Sequence, residues 1–203
     1  MSLPGIKLLL MGPPGSGKTS VIESWITGKP VTGKASSTQR TGISAFAVFT
    51  EPSFDVVAGF KCPDLHWVYL PPQSQGWSDT IETMQNIQKY DTKTLAGMNF
   101  KRSDLALRLA QTMNKFVCQR CGTDFGSVES WGTDRVLHLD SLTGLNPMFM
   151  QLAAGSSPVK SIQEYGIAME QEEKFLAKLC MDLRCHFTLV AHVDREMDQV
   201  SGG

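Results

Sequence analysis

Ile6-Lys7-Leu8-Leu9-Leu10-Met11-Gly12-Pro13-Pro14-Gly15-Ser16-Gly17-Lys18-Thr19-Ser20 is the stretch that decides the fold. A mostly apolar run of strand length leads into a glycine-rich turn. Behind the turn Val21, Ile22, Trp25 and Ile26 share one helical face, and Gly28 offers a natural C-cap. Strand, G-x-x-x-x-G-K-[ST] loop and helix in this order make a phosphate-binding loop. The glycines allow a tight turn with inward-pointing amides, and a helix expected from about Lys18 adds the positive end of its dipole. Lys18 is expected to reach the β- and γ-phosphates of a nucleotide and otherwise to face solvent, while the Thr19 hydroxyl holds Mg²⁺. Gly12, Pro13, Pro14, Gly15, Ser16, Gly17, Lys18, Thr19 and Ser20 are therefore the candidate nucleotide contacts. An ordinary surface turn would explain the glycines and prolines. It would not explain the flanking strand and helix or the Lys-Thr pair.

Outward from this unit, apolar runs at Ala45 to Thr50, Leu65 to Leu70, Arg135 to Leu139 and Phe187 to Ala191 read as four further strands. Helical patterns separate them: about Ser78 to Tyr90, with Ser78 as N-cap and Ile81, Met84 and Ile87 in one stripe; about Ser103 to Cys118; and about Ile162 to Arg184. The alternation predicts an α/β domain with a mostly parallel sheet and helices on both faces. The helical stripes are expected in the core. Thr27 to Gly42 and Cys121 to Asp134 are rich in Gly, Ser and Thr and read as loops.

The 203 residues suit one domain large enough to bury a core, with 41% apolar and 19% charged residues and a formal charge of −1. No general polyanion-binding signature is present, so any nucleic-acid contact is expected to be local. The N-terminal stretch shows neither a basic leader nor an apolar span, which points to an intracellular protein with no membrane contact. Five cysteines without a regular framework fit a reducing compartment. Cys118 and Cys121 form one C-x-x-C, and Cys62 and His66 could add two more zinc ligands. The plainer reading is a pair of thiols where a helix runs into a loop.

A phosphate loop needs a second carboxylate on its metal side, at the end of a buried strand. Val136-Leu137-His138-Leu139-Asp140-Ser141 supplies Asp140 for Mg²⁺, with Ser141 beside it; an N-cap before Leu142 is the alternative. His138 reads as a packed core residue. Glu51, closing Phe46-Ala47-Val48-Phe49-Thr50-Glu51, is the candidate base for the attacking water, and His192, closing the last strand, the candidate γ-phosphate sensor. Arg195 is a candidate arginine finger, with a surface arginine the plainer reading. Lys101, Arg102, Arg108, Lys115 and Arg120 against Asp104 form a basic segment that is either a solvated face or a nucleic-acid surface.

The order of these parts resembles the RecA-like ATPase core. Leu139-Asp140-Ser141-Leu142-Thr143-Gly144-Leu145 and Val190-Ala191-His192-Val193 look like phage-encoded AAA-domain nucleotide-binding proteins, a group that includes RecA-like single-strand annealing ATPases. The resemblance implies a Mg²⁺-dependent ATPase of DNA recombination, replication or repair, working as a homo-oligomer on single-stranded DNA in the cytoplasm of a phage-infected cell. Under it Lys18 and Thr19 are the loop pair, Asp140 the Mg²⁺ carboxylate, Glu51 the catalytic glutamate and His192 the sensor. RecA-like proteins continue past this last strand into a mobile DNA-binding loop, whereas the sequence in hand ends at Gly203. Other readings are a DNA-packaging motor, disfavoured by Ser141 where an acid would follow Asp140; a small-molecule phosphotransferase, disfavoured by the absence of an arginine-rich lid; and a non-catalytic nucleotide-dependent scaffold.

Overall fold

Five strands, β1 (Lys7–Gly12), β2 (Ser44–Phe49), β3 (Leu65–Tyr69), β4 (Arg135–Asp140) and β5 (His186–His192), form one sheet in the order β1-β5-β4-β2-β3. Every neighbouring pair is parallel. Each strand lies within one residue of the run that predicts it. The computed structural model describes residues 4–28, 40–52, 55–58, 60, 62–71, 76–98, 102–155 and 157–193. Arg195, Lys101, Gly202 and Gly203 and most of the Thr27 to Gly42 stretch lie outside the described residues.

The interior strands β2 and β4 are buried on both faces, which is why they read as continuous apolar runs. Alternation assigns the faces. Ala45, Ala47, Phe49 and Val136 pack under α1 (Val21–Thr27) and α2 (Asp55–Ala58). Phe46, Val48, Leu137, Leu139, Phe187 and Leu189 pack on the opposite side against α5 (Leu105–Asn114), α6 (Leu142–Ala154) and α7 (Ile162–Met181). Helices therefore cover both faces, as expected. Two further helices, α3 (Trp77–Lys89) and α4 (Thr92–Ala96), follow β3. Among the described residues no helix is long and apolar enough to cross a membrane.

Three expectations need correction. The helix after the phosphate loop starts at Val21, not Lys18, because the amides of Ser20, Val21, Ile22 and Glu23 each bond three residues back in a tightened turn. A helix this short adds little dipole, so an anion placed here would depend more on the loop amides. Next, α3 has Gly76 at its N-cap, places Ser78 inside the helix and buries no residue; Ile81, Met84 and Ile87 are all about half exposed or more. Its stripe is periodic but meets no core. Finally, α5 ends at Asn114, and Phe116 to Phe125 form a tight turn instead of a helix end: Val117 bridges Asp124, the Phe125 amide donates to the Phe116 carbonyl, and the Phe116 amide donates to the Gly126 carbonyl.

Candidate functional site

The strand ends bring the predicted groups together. In register, Gly12 stands opposite His192, and Asp140 opposite both Phe49 and Val190. β5 thus lies between the strand that feeds the phosphate loop and the strand that ends in Asp140. The loop itself turns on Gly15 (φ 78°) and Gly17 (φ 83°), a left-handed backbone that a side chain would strain although nothing crowds either position.

Lys18 is buried rather than solvent-facing, which corrects the expectation for its resting position. Its ammonium donates to the Gly12 and Pro13 carbonyls, both at 2.7 Å, and to Ser16 Oγ at 3.3 Å. Among the described residues no carboxylate forms an ion pair with it. An ammonium ringed only by neutral oxygens has no anionic partner within the described residues, so the loop fits a phosphate on its own chemistry. Thr19 Oγ1 donates to Asp140 Oδ2 at 2.5 Å, across 121 positions of sequence. Asp140 is fully buried, and this hydroxyl–carboxylate pair is an oxygen donor set of the kind Mg²⁺ takes.

Beside it runs a chain of side-chain contacts. Ser141 Oγ donates to Glu51 Oε1 at 2.7 Å, and Glu51 Oε2 lies 3.2 Å from His192 Nε2. Ser141 also caps α6 by accepting the Gly144 amide, so its capping and site roles coexist. The Ser141 amide donates to Thr50 Oγ1, and the Thr50 hydroxyl donates to the Ser141 carbonyl, which ties the end of β2 to the end of β4. The His192 amide donates to Thr143 Oγ1 at 3.2 Å. His138 is fully buried, and desolvation lowers its pKa to about 3. Its Nε2, 4.0 Å from Asp140 Oδ2, therefore belongs to a neutral ring, and the contact is not an ion pair at neutral pH.

Sequence reasoning missed Gly144. A Cβ there would overlap the Thr50 side chain and press on Glu51 Cγ at 3.3 Å, so only glycine lets the first turn of α6 approach the end of β2. Its place in Leu142-Thr143-Gly144 was the available signal, but a helical glycine has no meaning until its neighbour across the sheet is known. The basic segment is less free than its charge suggests. Lys115 pairs with Asp124 at 3.3 Å, and Arg120 donates to the Cys62 carbonyl. A cavity of about 170 Å³ lies elsewhere, between α5 and α7, lined by Met113, Val128, Phe175 and Leu179.

No protein-family model matches the chain, and no curated protein matches it.

Proposed function

We propose that this protein is a Mg²⁺-dependent ATPase with a RecA-like core. The observation that carries the reading is the 2.5 Å contact between Thr19 and Asp140, which joins the phosphate loop to the strand-end carboxylate. Thr19 and Asp140 would hold Mg²⁺, which when bound neutralises charge on the β- and γ-phosphate oxygens. Loop amides and Lys18 bind the same phosphates and stabilise the charge that builds as the terminal P–O bond breaks. Glu51 orients the attacking water and accepts its proton, leaving ADP and inorganic phosphate. His192 acts through Glu51, since its Nε2 faces that carboxylate. It is a positioning residue in this scheme.

The resemblance to phage single-strand annealing ATPases extends the proposal to DNA recombination, replication or repair by a homo-oligomer on single-stranded DNA. Phosphate release from ATP with Mg²⁺, with and without single-stranded DNA, tests both parts. Turnover lost in Lys18→Ala and raised by DNA is the expected result; wild-type turnover indistinguishable from that of the variant overturns the ATPase reading. A second reading, a nucleotide-dependent scaffold without turnover, is favoured by one observation: both Glu51 oxygens already have partners, Ser141 and His192. Tight ATP binding without phosphate release would select it.

A further inference from the structure

We infer that His66, Cys118 and Cys121 form a zinc site that clips the 117–124 turn to the open edge of the sheet. The three ligand atoms lie within 4.8 Å of one another, and Cys121 Sγ is 3.7 Å from His66 Nδ1. Zinc held at ~2.3 Å from sulfur and ~2.0–2.1 Å from nitrogen in a tetrahedron separates those two atoms by about 3.6 Å. Little movement is needed to admit the ion.

The surrounding structure holds the ligands in this arrangement. β3 is an edge strand; of the two residues between the cysteines, Gln119 pairs with that edge and Arg120 with the segment leading into it. The Gln119 amide donates to the Trp67 carbonyl, the Gln119 side chain accepts from the Tyr69 amide at 2.9 Å and donates to the Tyr69 carbonyl at 3.0 Å, and Arg120 reaches the Cys62 carbonyl. Gly122, with φ 72°, reverses the chain directly after Cys121, and the Gly122 amide closes the turn on the Cys118 carbonyl at 2.8 Å. Both sulfurs are thereby delivered to the same side of the turn. His66 is held between sheet and turn: its ring lies 4.9 Å from that of Phe46 on β2 and 4.2 Å from that of Phe125 at the end of the turn, centroid to centroid. Thr123 Oγ1, 3.3 Å from Cys121 Sγ, is placed to donate to a thiolate. Such outer-shell contacts set ligand orientation at metal sites.

Cys62, the fourth residue the sequence offers, stays out. It packs with Ile22, Ala45 and Leu65 under α1, whereas Cys118 belongs to the core on the other face of the sheet. Cys121 is exposed, so the fourth position opens to water. Two thiol protons leave as Zn²⁺ enters, giving a neutral Cys₂His centre, and sulfur-rich coordination favours zinc over Mg²⁺.

The test uses the full chain under reducing conditions. Metal content is measured as purified, and the stripped protein is then titrated with Co²⁺ and back-titrated with Zn²⁺. The expected result is about one equivalent of zinc and a Co²⁺ spectrum with thiolate charge-transfer and strong tetrahedral visible bands, abolished by Zn²⁺. Cys118 is buried, so the probes are Cys121→Ser, at the exposed thiol, and His66→Gln; each should weaken the metal by roughly tenfold or more. Cys180→Ser, an exposed thiol elsewhere, and Lys18→Ala should bind as wild type. Well under one equivalent, a Co²⁺ spectrum without thiolate bands, or unchanged affinity in Cys121→Ser overturns the proposal.

Discussion

The phosphate loop and the Cys–His cluster sit at opposite edges of one sheet and are built in opposite ways. The loop follows β1 at one edge; the cluster lies on β3 at the other, four strand spacings or ~19 Å across. The loop is contiguous from Gly12 to Thr19, and its shape is set by backbone in a conformation that glycine allows at Gly15 and Gly17. The cluster joins residues 55 positions apart and exists only because a turn is hydrogen-bonded to a strand edge. A site made of backbone can be written in a short motif. A site made of distant side chains depends on register and on which face each residue takes.

The largest expected effect breaks one site and spares the other. Lys18→Ala should lower ATP turnover by ~10²-fold or more and weaken nucleotide binding, with zinc content unchanged. Phosphate release and elemental analysis on the same preparation check this, and joint loss of both would mean that the two edges are coupled through the fold. Glu51→Gln should keep nucleotide affinity within a few fold while turnover falls by about 10²-fold, because the amide cannot take the proton. Asp140→Asn should remove the Mg²⁺ dependence of whatever activity remains.

Smaller effects sharpen the contrast between buried and edge positions. His138 has a folded pKa depressed from 6.5 to about 3, so the unfolded chain binds its proton first. Stability from this residue is full above 6.5 and falls as pH drops toward 3, by about 2 kcal/mol between pH 7 and pH 5. Denaturant titrations of wild type and His138→Leu at both pH values measure it, and the variant should lose this part of the acid slope. Gln119→Ala should cost about 1 kcal/mol by freeing the Tyr69 edge groups to water, read as a lower urea midpoint. Ile81→Ser on α3 should change stability by under ~0.5 kcal/mol, since that side chain is 51% exposed. A cost near the 2–5 kcal/mol expected for Leu109→Ala, on the buried stripe of α5, would place α3 against a partner surface.

The same pair of helices shows where sequence reading stops. α3 and α5 both carry apolar residues at helical spacing, yet one buries none and the other buries Leu105, Leu109 and Met113. Period reports a helix; what lies opposite its stripe is settled elsewhere. The five strands, the phosphate loop and the strand-end positions of Asp140, Glu51 and His192 follow from local signals: apolar runs, glycines at required turns and carboxylates at the ends of runs. Tertiary structure decided that Lys18 rests among carbonyls, that Glu51 lies between Ser141 and His192, and that Gly144 makes room for Thr50. It also separated Cys62 from Cys118, because each face of the sheet has its own core and the two cysteines join different ones. Local propensities act over a few neighbouring residues, so they specify strands and loops. Strand order and register act over the whole chain, and they alone determine which side chains meet.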